Sequence, residues 1–339
     1  MTDLIGTIKI EFPTRRVAIV GDVVADQFLN GSIARVSREA PVFILRHEDT
    51  ETRPGGAANA AANVASLGGT PMLVGVLGDD ANGRLLSDSL DKVGVNCDYS
   101  ITDSKFATTT KVRVFAGQNY STRQQVIRID YENNSTIDDD IRRRLGENLR
   151  VAAQHADAII VSDYNYGVAE PEVFREAYRI SKERNIPLLI DSRFRLRNFA
   201  NATSATPNQE EIEQLLGRDF TNADCVALCR ELGFKSLLVT CGSKGMVLFQ
   251  QELAPLEMPA VGSSEPVDVT GAGDTVIAAY ALGLASGLGY KDAATIANHA
   301  GGIVVMKKGT STVDAAELIE SLRREFSTVR ADSASIPAT

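Results

Sequence analysis

Asp274 closes the run Asp268-Val-Thr-Gly-Ala-Gly-Asp274, and an apolar small-residue stretch, Thr275 to Leu282, follows it directly. Glycines ahead of a helix leave backbone N–H groups unscreened, and with the helix dipole these form an anion site. A carboxylate inside such a turn would repel a phosphate if binding were the turn's only task. It has a purpose as a general base, taking the proton of a hydroxyl that attacks a phosphoryl group. In that chemistry Asp274 is the base, and Gly271, Ala272 and Gly273 carry the N–H groups that face the transferring phosphoryl group. A glycine-rich turn ending in an aspartate cap accounts for the same residues without chemistry.

Four further segments carry suitable groups. In Arg53-Pro-Gly55-Gly56-Ala-Ala-Asn59, the glycines allow close approach of a ligand, and Asn59 offers a donor and an acceptor to hydroxyls. Gly21-Asp22-Val-Val-Ala-Asp26 places carboxylates after the first strand, at the edge where α/β sheets bind ligands. In Thr206-Pro-Asn208-Gln-Glu-Glu211, Asn208 and Glu211 share one face of a first helical turn, suited to hydrated Mg²⁺ or its phosphates. Thr240-Cys-Gly242-Ser-Lys-Gly245 is a glycine-rich turn between two strands. The plain alternatives are a helix of packed alanines, a solvated loop, a capping box and a hairpin.

Composition narrows the class. The formal charge of −9 on 339 residues does not favour nucleic acid or an anionic membrane as partner. Four cysteines, with no second pair beside Cys225 and Cys229, suit a reducing cytoplasm better than a metal site. The N-terminus has no charged segment leading into an apolar one, so no signal peptide is expected, and no apolar run reaches transmembrane length. The chain lacks Gly-x4-Gly-Lys-Ser/Thr, lacks Gly-x-Gly-x-x-Gly after its first strand, and scatters its three histidines. These absences argue against a P-loop enzyme, a dinucleotide oxidoreductase and a zinc hydrolase.

The elements that must position these groups alternate. Strands are expected at 17–20, 72–76, 158–161, 188–190, 237–240 and 246–249. Helices are expected at 57–67, 82–93, 137–155, 172–184, 208–216, 222–232, 272–285, 292–307 and 315–325. The alternation predicts an α/β fold with a parallel sheet covered on both faces. Segments 42–46, 108–115 and 124–130 read as a smaller separate sheet, from which Arg113, Arg123 and Arg128 point at a ligand or at solvent. Residues 327–339 are small and polar and read as a disordered tail after a domain spanning 1–326.

In this order and spacing the chain resembles the pfkB, ribokinase-like carbohydrate kinases over about 15–325, with 55–59 and 268–274 matching the two family signatures. The resemblance implies a three-layer α/β/α fold with a mostly parallel central sheet and a small β-sheet lid from about 32–50 and 106–132. It implies phosphoryl transfer from ATP to a sugar held by Asp26, Gly55, Gly56 and Asn59. Arg38, Arg113 and Arg128 are its candidates for a sugar phosphate. Asn208 and Glu211 would order Mg²⁺ and the ATP phosphates, Glu211 through water. Thr240, Gly242 and Gly245 would line the nucleotide, with Asn298 near the adenine. Asp268 and Thr270 could shape a K⁺ site. The lid would pair two copies into a homodimer.

Within that family the likeness runs to the D-glycero-D-manno-heptose-7-phosphate kinases, through Ser37-Arg38-Glu39-Ala40-Pro41, Gln125-Val-Ile-Arg128-Ile-Asp130 and Lys308-Gly-Thr-Ser-Thr312. This implies phosphorylation of the anomeric hydroxyl in ADP-heptose synthesis for lipopolysaccharide core. The chain has no His-x-Gly-His, so an adenylyltransferase half is not expected in it. Two positions depart from the pattern: Tyr166 stands where those kinases carry a lysine in Asp-Tyr-x-Lys-Gly, and Asp191-Ser192-Arg193 stands in place of Asp-Pro-Lys. A kinase for another sugar, and a non-catalytic sugar or nucleotide sensor on the same fold, are the alternatives.

Overall fold

The computed structural model describes residues 3–117, 123–132, 137–263 and 265–334, with side chains as far as 325. The chain begins with α1 (Leu4–Ile10), β1 (Arg16–Gly21), β2 (Val23–Val36), β3 (Phe43–Gly56) and α2 (Ala57–Ser66). Next come β4 (Thr70–Val74), β5 (Val76–Gly78), α3 (Ala81–Lys92), β6 (Ile101–Asp103), β7 (Thr110–Gly117) and β8 (Gln124–Tyr131). The regular part follows: α4 (Asp139–Ala152), β9 (Ala158–Asp163), α5 (Pro171–Arg184), β10 (Leu188–Ser192), β11 (Ser204–Ala205), α6 (Gln209–Leu216), α7 (Asn222–Glu231) and β12 (Ser236–Thr240). It closes with β13 (Met246–Gln250), β14 (Leu256–Met258), α8 (Ala272–Ala285), α9 (Tyr290–Val304) and α10 (Ala315–Ala334).

The large sheet has the order β14-β13-β12-β11-β10-β9-β1-β4. From β4 to β12 all neighbours are parallel, and β13 and β14 add an antiparallel edge. Its strands are apolar on both faces because helices cover both. Along β1, Val17 and Ile19 enter one core with α2, α8 and α9, while Ala18 and Val20 enter the other with α4, α5 and α7. α8 is buried along its length from Asp274 to Leu284, as expected of a helix apolar all round.

The second sheet has the order β3-β2-β7-β8 and forms the lid. Its central strand departs from the expectation. Residues 21–26 read as a loop, yet Asp22 alone interrupts the chain before β2 runs for 14 residues. β2 starts buried beside β1 and ends exposed, pairing with β3 all the way out and with β7 from Ala25 to Ser32; its register with β3 shifts between Asn30 and Gly31 and again between Ile33 and Arg35. Alternation did not reveal it because its inner half is buried on both faces. The tail also differs: α10 continues through 327–334, and 335–339 lie outside the described residues. Among the described residues no helix is long and apolar enough to cross a membrane.

Candidate active site

At the head of α8, Gly271 takes the left-handed conformation (φ 76°) that L-residues with a side chain resist. A Cβ there would also meet Nδ2 of Asn59 at 2.5 Å. Asp274, one turn on, is 2% exposed. Both its oxygens accept hydrogen bonds, Oδ2 from Asn59 Nδ2 at 2.8 Å and Oδ1 from the Tyr164 hydroxyl at 2.9 Å. Burial pushes its pKa up to about 7, helped by the charge of Asp191 and opposed by Asn59, Tyr164 and Arg193. A carboxyl group that titrates near neutrality is suited to proton abstraction.

The amide of Asn59 is engaged with protein. It donates to Asp274 and to the Gly271 carbonyl (3.3 Å), and its Oδ1 accepts from Asn63 at 3.1 Å. Asn63 in turn accepts from the Thr275 hydroxyl at 3.0 Å, so α2 and α8 are laced together under the turn. The sequence offers Asn59 to a sugar; the structure gives it to the carboxylate. Gly56, with φ 58°, brings the chain against the Asp22 carbonyl, which a Cβ would meet at 2.5 Å. Gly55 leaves room for Asp26, whose Oδ2 a Cβ would meet at 2.7 Å.

Asp26 is 5% exposed and paired: Oδ1 accepts from Arg113 at 2.6 Å and Oδ2 from the Thr310 hydroxyl at 2.9 Å. Arg113 is therefore the partner of Asp26 and not a free anion site. Arg38 lies exposed at the tip of the β2–β3 hairpin and lines neither of the cavities below. Arg123 pairs with Glu48. Of the sugar-phosphate candidates, Arg113 is thus engaged by protein and Arg38 lies away from both cavities, while Arg123, expected to face a ligand or solvent, meets Glu48.

The carboxyl ends of β10, β11 and β12 open on a cavity of ≈ 680 Å³. Asn208, Glu211, Thr240, Gly242, Gly245 and Asn298 all line it, as do Gly271, Ala272 and Gly273. Residues from four separate segments thus meet at one edge of the sheet, where open α/β sheets bind ligands. Asn208 and Glu211 also form the capping box of α6: Glu211 N–H donates to Asn208 Oδ1 at 2.9 Å, and Asn208 N–H to Glu211 Oε2 at 2.8 Å. Asn298 donates to the Pro259 carbonyl at 2.8 Å. The Ala272 N–H is taken by the Val269 carbonyl at 3.2 Å, which leaves Gly273 the better placed of the two for an anion. Asp191 joins this cavity; burial first, then the charge of Glu211, raises its carboxyl. Two carboxylates strained by each other's charge fit a divalent cation. Asp268 and Thr270 line neither cavity, and the Asp268 oxygens accept from Thr270 N–H and Gly309 N–H, both at 2.9 Å.

A second cavity of ≈ 380 Å³ lies beyond Tyr164, with Lys111, Arg128, Arg193 and Tyr166 in its wall. Arg128 is held by both oxygens of Asp130 (2.7 and 2.5 Å). Lys111 is 7% exposed, and its ammonium makes no hydrogen bond or ion pair among the described residues. It sits over the rings of Tyr164 and Tyr166, 5.4 and 5.5 Å from their centroids. Burial, then repulsion by Arg193, pulls its pKa down. The sequence reading marks Arg193 as a departure from Asp-Pro-Lys and holds Tyr164 within the Asp-Tyr-x-Lys-Gly comparison, but it does not pick out Lys111. The available signal was the alternation of β7, which puts Lys111 on the same face as Arg113.

The buried Asp274 carboxylate is thus tied to Tyr164, which lines both cavities. The family model for pfkB family carbohydrate kinase matches residues 14–316, and the chain belongs to that family. Among curated proteins it is similar to the bifunctional protein HldE of Psychromonas ingrahamii, 39% identical over 319 residues, covering 92% of this chain and 64% of that protein. It is 40% identical over 319 residues to the bifunctional protein HldE of Klebsiella pneumoniae, with the same coverage. The chain thus spans about 64% of the length of the curated relatives it matches. Among solved structures, Arabidopsis thaliana ribokinase complexed with ribose and ATP aligns with a TM-score of 0.69 at 23% identity, covering 91% of this chain and 98% of that one. Escherichia coli phosphofructokinase-2 in complex with potassium aligns with a TM-score of 0.73 at 19% identity, with the same coverage. These two likenesses establish the ribokinase-like fold expected from the sequence.

Proposed function

We propose that this carbohydrate kinase transfers the γ-phosphoryl group of ATP to the anomeric hydroxyl of D-glycero-D-manno-heptose 7-phosphate. The observation that carries the reading is Asp274, a buried carboxylate near neutral pKa, held below the wall shared by the two cavities. ATP occupies the larger cavity, against Thr240, Gly242, Gly245 and Asn298, with its phosphates toward Asn208 and Gly273. The sugar lies under the lid beside Asp26, Gly55 and Gly56. Its own phosphate enters the second cavity, where Lys111, Arg128 and Arg193 supply positive charge. Asp274 accepts the hydroxyl proton as the sugar oxygen bonds to phosphorus and the bond to the departing ADP oxygen breaks. Glu211 and Asp191 would hold Mg²⁺, Glu211 through water, and the ion would neutralise charge on the phosphates. No step depends on K⁺ at Asp268 and Thr270, whose carboxylate already accepts two backbone N–H groups.

The heptose is favoured by the 39–40% identity to the bifunctional HldE proteins and by the motifs shared with heptose kinases. The cationic second cavity supports a phosphorylated acceptor. The homodimer rests on β8, exposed at every residue, with Val126, Ile127, Ile129 and Tyr131 open at the lid's edge. A cytoplasmic setting agrees with free cysteines and with ATP as donor. The test is ADP release across a panel of sugars with and without a terminal phosphate. Turnover of heptose 7-phosphate above all others is expected. Preference for an unphosphorylated sugar would discard the heptose assignment, and tight binding without ADP formation anywhere would favour the sensor.

A further inference from the structure

Tyr164 stands between the cavities. Its side chain lines both, and its hydroxyl donates to Asp274 Oδ1 at 2.9 Å. Its position is fixed from three sides. Its main-chain N–H donates to Asp22 Oδ2 at 2.8 Å, and Asp22 also accepts from the N–H groups of Tyr166 and Val168, both at 3.0 Å. Asp22 is 1% exposed, so the loop after β9 is pinned to the start of β2 from within. The Arg193 guanidinium lies 4.6 Å from the ring centroid and the Lys111 ammonium 5.4 Å. Few rotamers of Tyr164 would keep all of these contacts.

We infer that Tyr164 is the positioning residue for the base: it pins one carboxylate oxygen of Asp274 while Asn59 pins the other. The inference rests on the reading of Asp274 as the base. The two partners are not equivalent. An amide NH₂ can only donate, so Asn59 favours the charged carboxylate. A hydroxyl donates or accepts, so Tyr164 stays bonded whether Asp274 is charged or has taken a proton. The other charged groups facing Asp274 are Asp191 and Arg193, both at the end of β10. Neither touches the carboxylate in place of the phenol. Tyr164 also carries two of the three cations of the second cavity, Lys111 and Arg193, on its ring, which links an anion bound there to the carboxylate that must accept a proton.

Tyr164→Phe keeps the ring and removes the hydroxyl. Loss of a donor to the carboxylate raises the pH at which Asp274 ionises, so the acid limb of kcat moves up by roughly one pH unit. The kcat lost at neutral pH is then largely recovered on the alkaline plateau. Tyr166→Phe, which removes only the bond to Glu132 (3.0 Å), leaves the acid limb in place. A second readout needs no substrate: the infrared band of the protonated carboxyl that disappears in Asp274→Asn. Its midpoint rises by the same shift in Tyr164→Phe. An unmoved band and an unmoved limb, or equal movement in Tyr166→Phe, would overturn the role given to Tyr164. A moved band in a protein that phosphorylates no sugar would instead overturn Asp274 as base.

Discussion

Asn59 and Asp274 lie 215 residues apart in the chain and 2.8 Å apart in space, amide to carboxylate. The contact joins the two glycine-bearing turns that carry the family signatures. It also explains a feature of the base itself. A carboxyl group buried this far would be neutral at physiological pH without donors aimed at its charged form. Asn59 and Tyr164 hold it at about 7, where either state is accessible.

Asp274→Asn is expected to lower kcat by about 10²–10⁴ while nucleotide binding persists, since it removes proton transfer and leaves the larger cavity intact. Single-turnover ADP formation and calorimetric titration with the nucleotide separate the two. Near-normal turnover would show that another group takes the proton.

The same substitution has a stability signature. Asp274 is raised from 3.8 to about 7 in the fold, so it contributes stability below pH about 4 that is lost as the pH rises through about 7. The Tm of Asp274→Asn minus that of the wild type should therefore grow from pH 4 to pH 7 and level off above. A difference that is flat with pH would mean Asp274 ionises at an ordinary value.

Lys111→Met should raise KM for a phosphorylated sugar by roughly 10–100-fold, the worth of one charged hydrogen bond, and change KM for its unphosphorylated analogue little. Equal losses on both sugars would place the distal phosphate elsewhere.

Arg113→Leu leaves Asp26 buried with only Thr310 as partner, and should cost about 3–5 kcal/mol of stability. Adding Asp26→Asn should recover a good part of that loss, because the uncompensated charge is gone. Urea melts of the two variants decide it. A single variant as stable as wild type would mean the pair is solvated.

Periodicity made the large sheet and its helices legible, since buried parallel strands and amphipathic helices write their burial into the sequence. The carboxylate and its glycines were legible through their pairing with residues 55–59, since a glycine turn with an aspartate cap would explain 268–274 on its own. Partners were harder to read. Arg113 and Lys111 share one strand face, and nothing local says that the arginine pairs with Asp26 while the lysine, among the described residues, makes no ion pair. Tyr164 stood in the Asp-Tyr-x-Lys-Gly comparison, but nothing local gave it a role, because a tyrosine after a strand is an ordinary core residue. Its value lies in Asp274, which comes from a helix 110 residues away. β2 escaped because its inner half is hidden on both faces and its outer half on neither, so no single period runs through it.

The course of β2 bears on how this family can be re-engineered. A cover built on separate loops could be exchanged between relatives as a cassette. Here the cover and the carboxylate proposed to face the sugar are written on one strand: Asp26 lies four residues from the register shift at Asn30 and Gly31, and Gly55 and Gly56 close the opposite strand. A graft cut inside that shift carries the acceptor site with it, and one cut outside leaves the site behind. Lid swaps intended to keep acceptor choice should therefore be joined at Asn30 and Asp49, its register partner.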